Sequence, residues 1–119
     1  MSTPANIRRV GTHPRWSDIV IHQHVARWVE VATDLSTDTS AQITQILAQI
    51  DETLQSLGAA RTDLLEVIIH LARLEDAAIL NALWDPWVPR GSAPIRACVQ
   101  SGLGDSCRAE FIIHAAVAE

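Results

Sequence analysis

The sequence predicts an α+β fold: a mixed sheet of five or six strands with two helices on one face. Three observations predict it. Short segments of period-two alternation recur between turn residues. Two longer segments carry apolar residues at helical spacing. Their order, β-β-β-α-β-α-β-β, has no internal repeat and segregates the helices to one side. At 119 residues the chain has the length of one domain, spanning 1–119, with residues 1–6 expected to be flexible.

The elements follow in order. Met1 to Ala5 is expected to be loose. Ile7 to Val10 is a short strand ended by Gly11 and Pro14. Ser17 to Gln23 alternates weakly, with Ile19 and Ile21 on one face and Asp18, Val20 and His22 on the other. Gln23-His24 occupies a hairpin turn without the usual glycine, and Val25 to Ala32 is the return strand. After the polar Thr33–Ser40 stretch, Ile43, Ile46, Leu47, Ile50, Leu54 and Leu57 form one helical stripe. Thr39 or a neighbouring Ser, Thr or Asp is the expected N-cap, and Gly58 the stop.

Leu64 to Ala72 is nearly unbroken apolar sequence with β-branched residues, which favours a buried strand. Glu75 to Trp87 is the second helix, with Ala78, Ile79, Ala82 and Leu83 expected inward. Pro86 predicts an end or bend near Asp85, since an internal proline costs about 3 kcal/mol. Ser92 to Gln100 is read as the central strand. It places Ile95, Ala97 and Val99 opposite Arg96, Cys98 and Gln100. Ala109 to Val117 is the last strand, with Glu110, Ile112, His114 and Ala116 sharing one face.

Arg96 is the one full charge in an otherwise half-buried strand. A guanidinium stays protonated and offers a planar fork that matches a carboxylate, so something anionic should meet it. A structural partner such as a nearby Glu is the plainer expectation; a ligand is the other.

Composition narrows the function. The net charge is −5, all the positive side chains are Arg, and Lys is absent. That argues against nucleic-acid binding, which depends on clustered basic residues. Two cysteines, Cys98 and Cys107, make no disulfide framework, although a hairpin joining their strands would bring them close. No apolar run approaches the roughly 20 residues of a membrane span. The N-terminus lacks the apolar core of a signal peptide. A soluble cytoplasmic protein is expected. Two helices cover one face of the sheet, so its apolar second face predicts self-association.

The second half resembles the Rid family, the reactive intermediate deaminases also known as YjgF-like or L-PSP-like proteins. The resemblance rests on Asn81-Ala82-Leu83-Trp84, Trp87-Val88-Pro89, Pro94-Ile95-Arg96-Ala97-Cys98-Val99 and Glu110. Pro-x-Arg-x-Cys-Val is its most specific piece. It implies a chorismate-mutase-like fold, a homotrimer and a ligand cleft between subunits. It also implies hydrolysis of 2-imino and 2-enamino acids to a 2-keto acid and ammonia, with no cofactor. On this resemblance Arg96 grips the substrate carboxylate and Cys98 helps hold the ligand through its backbone. Glu110 stands near the hydrolytic water, Asn81 near the cleft, and Trp16 replaces an aromatic that lies against the ligand.

The first half departs from that pattern. Val29-Glu30-Val31 stands where the family has a small residue, Gly and Gln, and His22-Gln23-His24 stands for His-Gly-Gly. Glu30 is expected at the cleft, partly neutralising Arg96 and weakening the deaminase. The alternative function is therefore a catalytically weak or inactive trimer that binds a small carboxylate or a protein partner. Glu30 facing away from Arg96 favours the enzyme. A ribonuclease activity has been attached to the family, and the acidic, Lys-free composition argues against it here.

His22, His24 and His114 lack the Cys or carboxylate spacing of a zinc site and are read as polar rim or core residues, with no metal. Cys98 is read as a small buried hydrophobe rather than a nucleophile. Trp84 and Trp87 fit a core or subunit contact, and Arg8-Arg9 a solvated strand edge.

Overall fold

The computed structural model describes residues 5–118; most of the expected loose Met1–Ala5 segment lies outside the described residues. Six strands form one sheet: β1 (Arg8–Val10), β2 (Ile19–His22), β3 (Val25–Glu30), β4 (Leu64–Leu71), β5 (Ile95–Gln100) and β6 (Ala109–Ala116). Helix α1 (Thr39–Ser56) lies between β3 and β4, and α2 (Ala77–Trp87) between β4 and β5. The sheet order is β1-β2-β3-β6-β4-β5. Only β4 and β5 run parallel, because α2 crosses over between them. The element order matches the sequence expectation.

The helix-covered face is the core. Trp28, Phe111, Ile113, Val67 and Ile69 project into it and meet the α1 stripe of Ile43, Ile46, Leu47, Ile50 and Leu54. Asp38 is the N-cap of α1, and its side chain accepts from Ala41 N–H at 2.9 Å. Gly58, at φ +70°, follows the last turn as expected. Gln42, fully buried, ties α1 to the start of β6: its amide donates to the Ser106 carbonyl at 2.8 Å and accepts from Arg108 N–H at 2.9 Å.

Four expectations need correction. Helix α2 turns Leu80, Trp84 and Trp87 inward, while Ala78, Ile79 and Ala82 are exposed. The two large indoles need more room than the alanine stripe leaves, so they take the core side. The helix also continues through Pro86 to Trp87. Its proline sits in the last turn, and Val88 N–H still reaches the Trp84 carbonyl at 2.9 Å, so little of the helix is disrupted. Strand β5 is an edge strand, not a central one, and in one chain it is exposed, Arg96 included. Cys98 and Cys107 are not joined by a hairpin, because β4 lies between β5 and β6 in the sheet; both are free thiols.

The hairpin joining β2 to β3 is as read: Gln23 and His24 both adopt left-handed φ, 51° and 64°. The open face of the sheet carries a cross-strand apolar row, Val29–Ile112–Ile68–Ala97. Beside it runs Arg27–His114–Glu66–Ile95, in which His114 and Glu66 approach to 3.3 Å. Val29 is 54% exposed and Ile95 68% exposed. No helix among the described residues is long and apolar enough to cross a membrane.

Candidate functional site

Pairing of β2 with β3 runs from His22↔Val25 to Val20↔Arg27. Beyond that point β3 continues to Glu30, and the chain preceding β2 arches away from it. The gap is a cavity of about 680 Å³ lined by Trp16, Ile19, Trp28, Val31, Glu30 and Glu110, among others. The arch is set at Gly11, whose φ is +106°; a Cβ there would meet Asp18 Oδ2 at 2.7 Å. Within the arch the His13 and Trp16 rings stack, with centroids 3.6 Å apart and planes 8° from parallel. Trp16 is 59% exposed at the cavity.

Glu30 sits at this cavity, but its carboxylate is tied back. It accepts from Trp28 Nε1 at 3.2 Å, Thr53 Oγ1 at 3.0 Å and Gln49 Nε2 at 2.9 Å. The expected pairing with Arg96 does not form within the chain. Residues Trp28, Ile113, Val67 and Arg96 lie in one cross-strand row, so β3 and β5 stand three strand spacings apart, about 14 Å. Sequence reasoning recognised that Glu30 needs a partner but missed Gln49 and Thr53. Both are polar residues on the flank of the α1 stripe, and that position was the available signal.

The sequence-predicted residues thus fall into two groups. Trp16, Glu30 and Glu110 share the cavity. Arg96, Cys98 and Asn81 lie on β5 and α2 at the far edge. Arg96 forms no ion pair with a carboxylate among the described residues. Its guanidinium lies over the Trp84 ring, 5.5 Å from the centroid. Trp84 in turn meets Trp87 at 5.4 Å, and Arg61, held by Asp51 at 2.7 Å, covers Trp87 at 4.7 Å. This aromatic floor went unread in the sequence, where the indoles were assigned only to packing. Asn81 is exposed on α2, one turn before Trp84.

Cys98 shares Arg96's face of β5, one pleat further on. Burial pushes its thiol above the ordinary 9.0, with Arg96 pulling weakly the other way. It therefore stays protonated at neutral pH and is a poor nucleophile. His114 is not its base: it projects from the opposite face of the sheet, toward Glu66. Glu110 lies on that open face too, directly across from His70, whose Nδ1 is 2.8 Å from Ser101 Oγ. No group of three or more His, Cys, Asp or Glu side chains is arranged to hold a metal among the described residues.

Residues 14–117 match the family model described as Endoribonuclease L-PSP. The chain is 39% identical over 112 residues to the RutC family protein YoaB of Escherichia coli, covering 93% of this chain and 98% of that one. Among solved structures it resembles an uncharacterized protein from Pseudomonas aeruginosa, at TM-score 0.89 and 41% identity, over 95% of this chain and all of that one. It also resembles a member of the YjgF protein family from Neisseria meningitidis, at TM-score 0.87 and 34% identity, over 97% and 98% of the two chains.

Proposed function

The chain belongs to the L-PSP endoribonuclease family, the Rid or YjgF family of the sequence resemblance, and from that premise we propose that it is a hydrolytic deaminase of 2-imino and 2-enamino acids. It works as a homotrimer, with its clefts between copies. One copy supplies Arg96, Cys98 and Asn81, and its neighbour supplies Trp16, Glu30 and Glu110.

The observation that carries this reading is Arg96. A permanently charged fork lies exposed over an aromatic ring, with no ion pair to a carboxylate among the described residues. Two parallel N–H···O bonds to a substrate carboxylate satisfy it. The backbone at Cys98 and the Asn81 amide fix the remainder of the ligand. Glu110 takes a proton from a water as the water's oxygen adds to the imine carbon and returns it to the imine nitrogen, giving the amino alcohol. The tetrahedral adduct then collapses: Glu110 carries the hydroxyl proton to the nitrogen, the C–N bond breaks, ammonia leaves and the C=O bond of the keto acid forms. Nothing is oxidised or reduced, so no cofactor is required.

One feature supports the enzyme over an inactive binding trimer: the Glu30 carboxylate is held by Trp28, Gln49 and Thr53 and is not paired with Arg96. The apolar row on the open sheet face, which a neighbouring copy can cover, supports the assembly common to both readings. A ribonuclease is disfavoured because the cavity carries Asp18, Glu30 and Glu110 and no basic residue, a lining that repels phosphate. Two free thiols support residence in a reducing compartment, the cytoplasm. The test is keto-acid and ammonia release when purified protein is added to imines generated by an amino-acid oxidase. Acceleration over buffer is expected. Keto-acid binding without any acceleration would instead favour the non-catalytic trimer.

A further inference from the structure

We infer that the cavity beside β3 is the subsite for the substrate's side chain, and that it selects imino acids with a bulky apolar side chain over the three-carbon imine. The inference rests on the deaminase reading and adds the class of substrate.

Size is the first argument. A space of about 680 Å³ is within the range of clefts that enclose whole drug-sized ligands. A methyl side chain fills little of it.

Chemistry is the second. The walls are chiefly apolar: Trp16, Ile19, Trp28, Val29 and Val31. Three carboxylates also line it, and each is accounted for. Glu30 is occupied by three donors from Trp28, Gln49 and Thr53. Asp18 is exposed to solvent at the rim, so its charge is screened. Glu110 is the group assigned to the water. With no basic residue in the lining, the substrate's carboxylate has no anchor here and must lie toward Arg96, which leaves the side chain to enter this space.

Trp16 is the third argument. One face of its indole is covered by His13, and the ring is still 59% exposed at the cavity. A large aromatic surface left in water at the edge of an apolar hollow is covered by an apolar ligand at a gain proportional to the area buried. His13 Nδ1 accepts from Arg15 N–H at 3.1 Å, which fixes the imidazole and hence the stacked indole. The ring therefore meets a ligand without first being ordered.

The experiment compares kcat/KM for the 2-imino acids of leucine, phenylalanine, alanine and arginine, each generated in place by an oxidase. The expected result is that the leucine and phenylalanine imines exceed the alanine imine by at least about tenfold, the usual range for methylenes in an apolar pocket. Trp16→Ala, at an exposed position where folding is not at stake, should lower that bulky-to-small ratio at least about fivefold, and Trp16→Phe should restore most of it. Three results overturn the inference while leaving the deaminase reading standing. They are equal rates for small and bulky imines, a ratio unmoved by Trp16→Ala, or a preference for the cationic arginine imine. Failure to accelerate any of the four imines overturns the deaminase reading and this inference with it.

Discussion

The guanidinium of Arg96 lies 5.5 Å above the ring of Trp84, and the same indole is the buried link between β5 and α2. The ring holds the fork on one side without consuming any of its N–H donors, so they stay available to an anion. A partly exposed cation–π contact contributes about 0.5–1 kcal/mol. Trp84→Leu should therefore weaken binding of a small 2-keto acid about two- to fivefold. Trp84→Phe should lose less. Titration calorimetry on variants shown to keep the parent's mass and circular dichroism separates this effect from unfolding.

Arg96→Lys keeps the charge and removes the planar fork. Keto-acid affinity should fall by about 1.5–3 kcal/mol, the worth of a hydrogen bond to a charged group. Equal affinity in the two proteins would rule out Arg96 as the carboxylate anchor.

Glu30 accepts from three side chains, so its replacement by Ala strands the Trp28 indole N–H, the Gln49 amide and the Thr53 hydroxyl. A loss of about 1–3 kcal/mol in unfolding free energy is expected from urea titration. Faster imine hydrolysis is not expected from Glu30→Gly, because the Glu30 carboxylate is already held by Trp28, Gln49 and Thr53 of its own chain.

The open face predicts assembly. Light scattering should give about three times the 13.0 kDa chain mass. Ile112→Glu places a charge in the middle of the Val29–Ile112–Ile68–Ala97 row and should shift the protein to smaller species. A parent protein that is monomeric at micromolar concentration would defeat the proposed shared cleft.

Burial raises the Cys98 pKa above 9.0. The folded protein therefore binds the thiol proton more tightly than the unfolded chain does. The linked stability is intact below pH 9.0 and declines as pH rises through the folded pKa. In a Cys107→Ser background, iodoacetamide should modify Cys98 more slowly at neutral pH than it modifies the same thiol in denaturant. Equal rates would show that the thiol is not held protonated by its surroundings.

Much of this was legible from residue order. The α1 stripe is legible because six large aliphatics recur at helical spacing; the first five are buried and Leu57, at the helix end, is half-buried. The Gln23-His24 turn is legible from its place between two alternating segments, despite the missing glycine. What failed depended on neighbours distant in sequence. Strand β5 alternates as a buried strand does, yet nothing in Ile95–Gln100 announces that it stands at an edge. Helix α2 offers two plausible inward stripes, and the volume of Trp84 and Trp87 decides between them only once the sheet beneath is built. Two of the three partners of Glu30, Gln49 and Thr53, are 19 and 23 residues away along the chain, beyond any local pattern.

Arg96 and Glu110 stand on β5 and β6 with β4 between them, on opposite faces of the sheet, and that separation also has a genetic reading. A cleft assembled from different parts of two copies is inherited in halves. An allele carrying Arg96→Ala and one carrying Glu110→Ala are each silent alone, yet each encodes the half the other lacks. Expressed together and mixed at random in a closed ring, they should regenerate intact clefts at about a quarter of the contacts between copies. Two dead proteins would then recover activity on co-folding, whereas a protein carrying both lesions in every copy would hold no intact cleft.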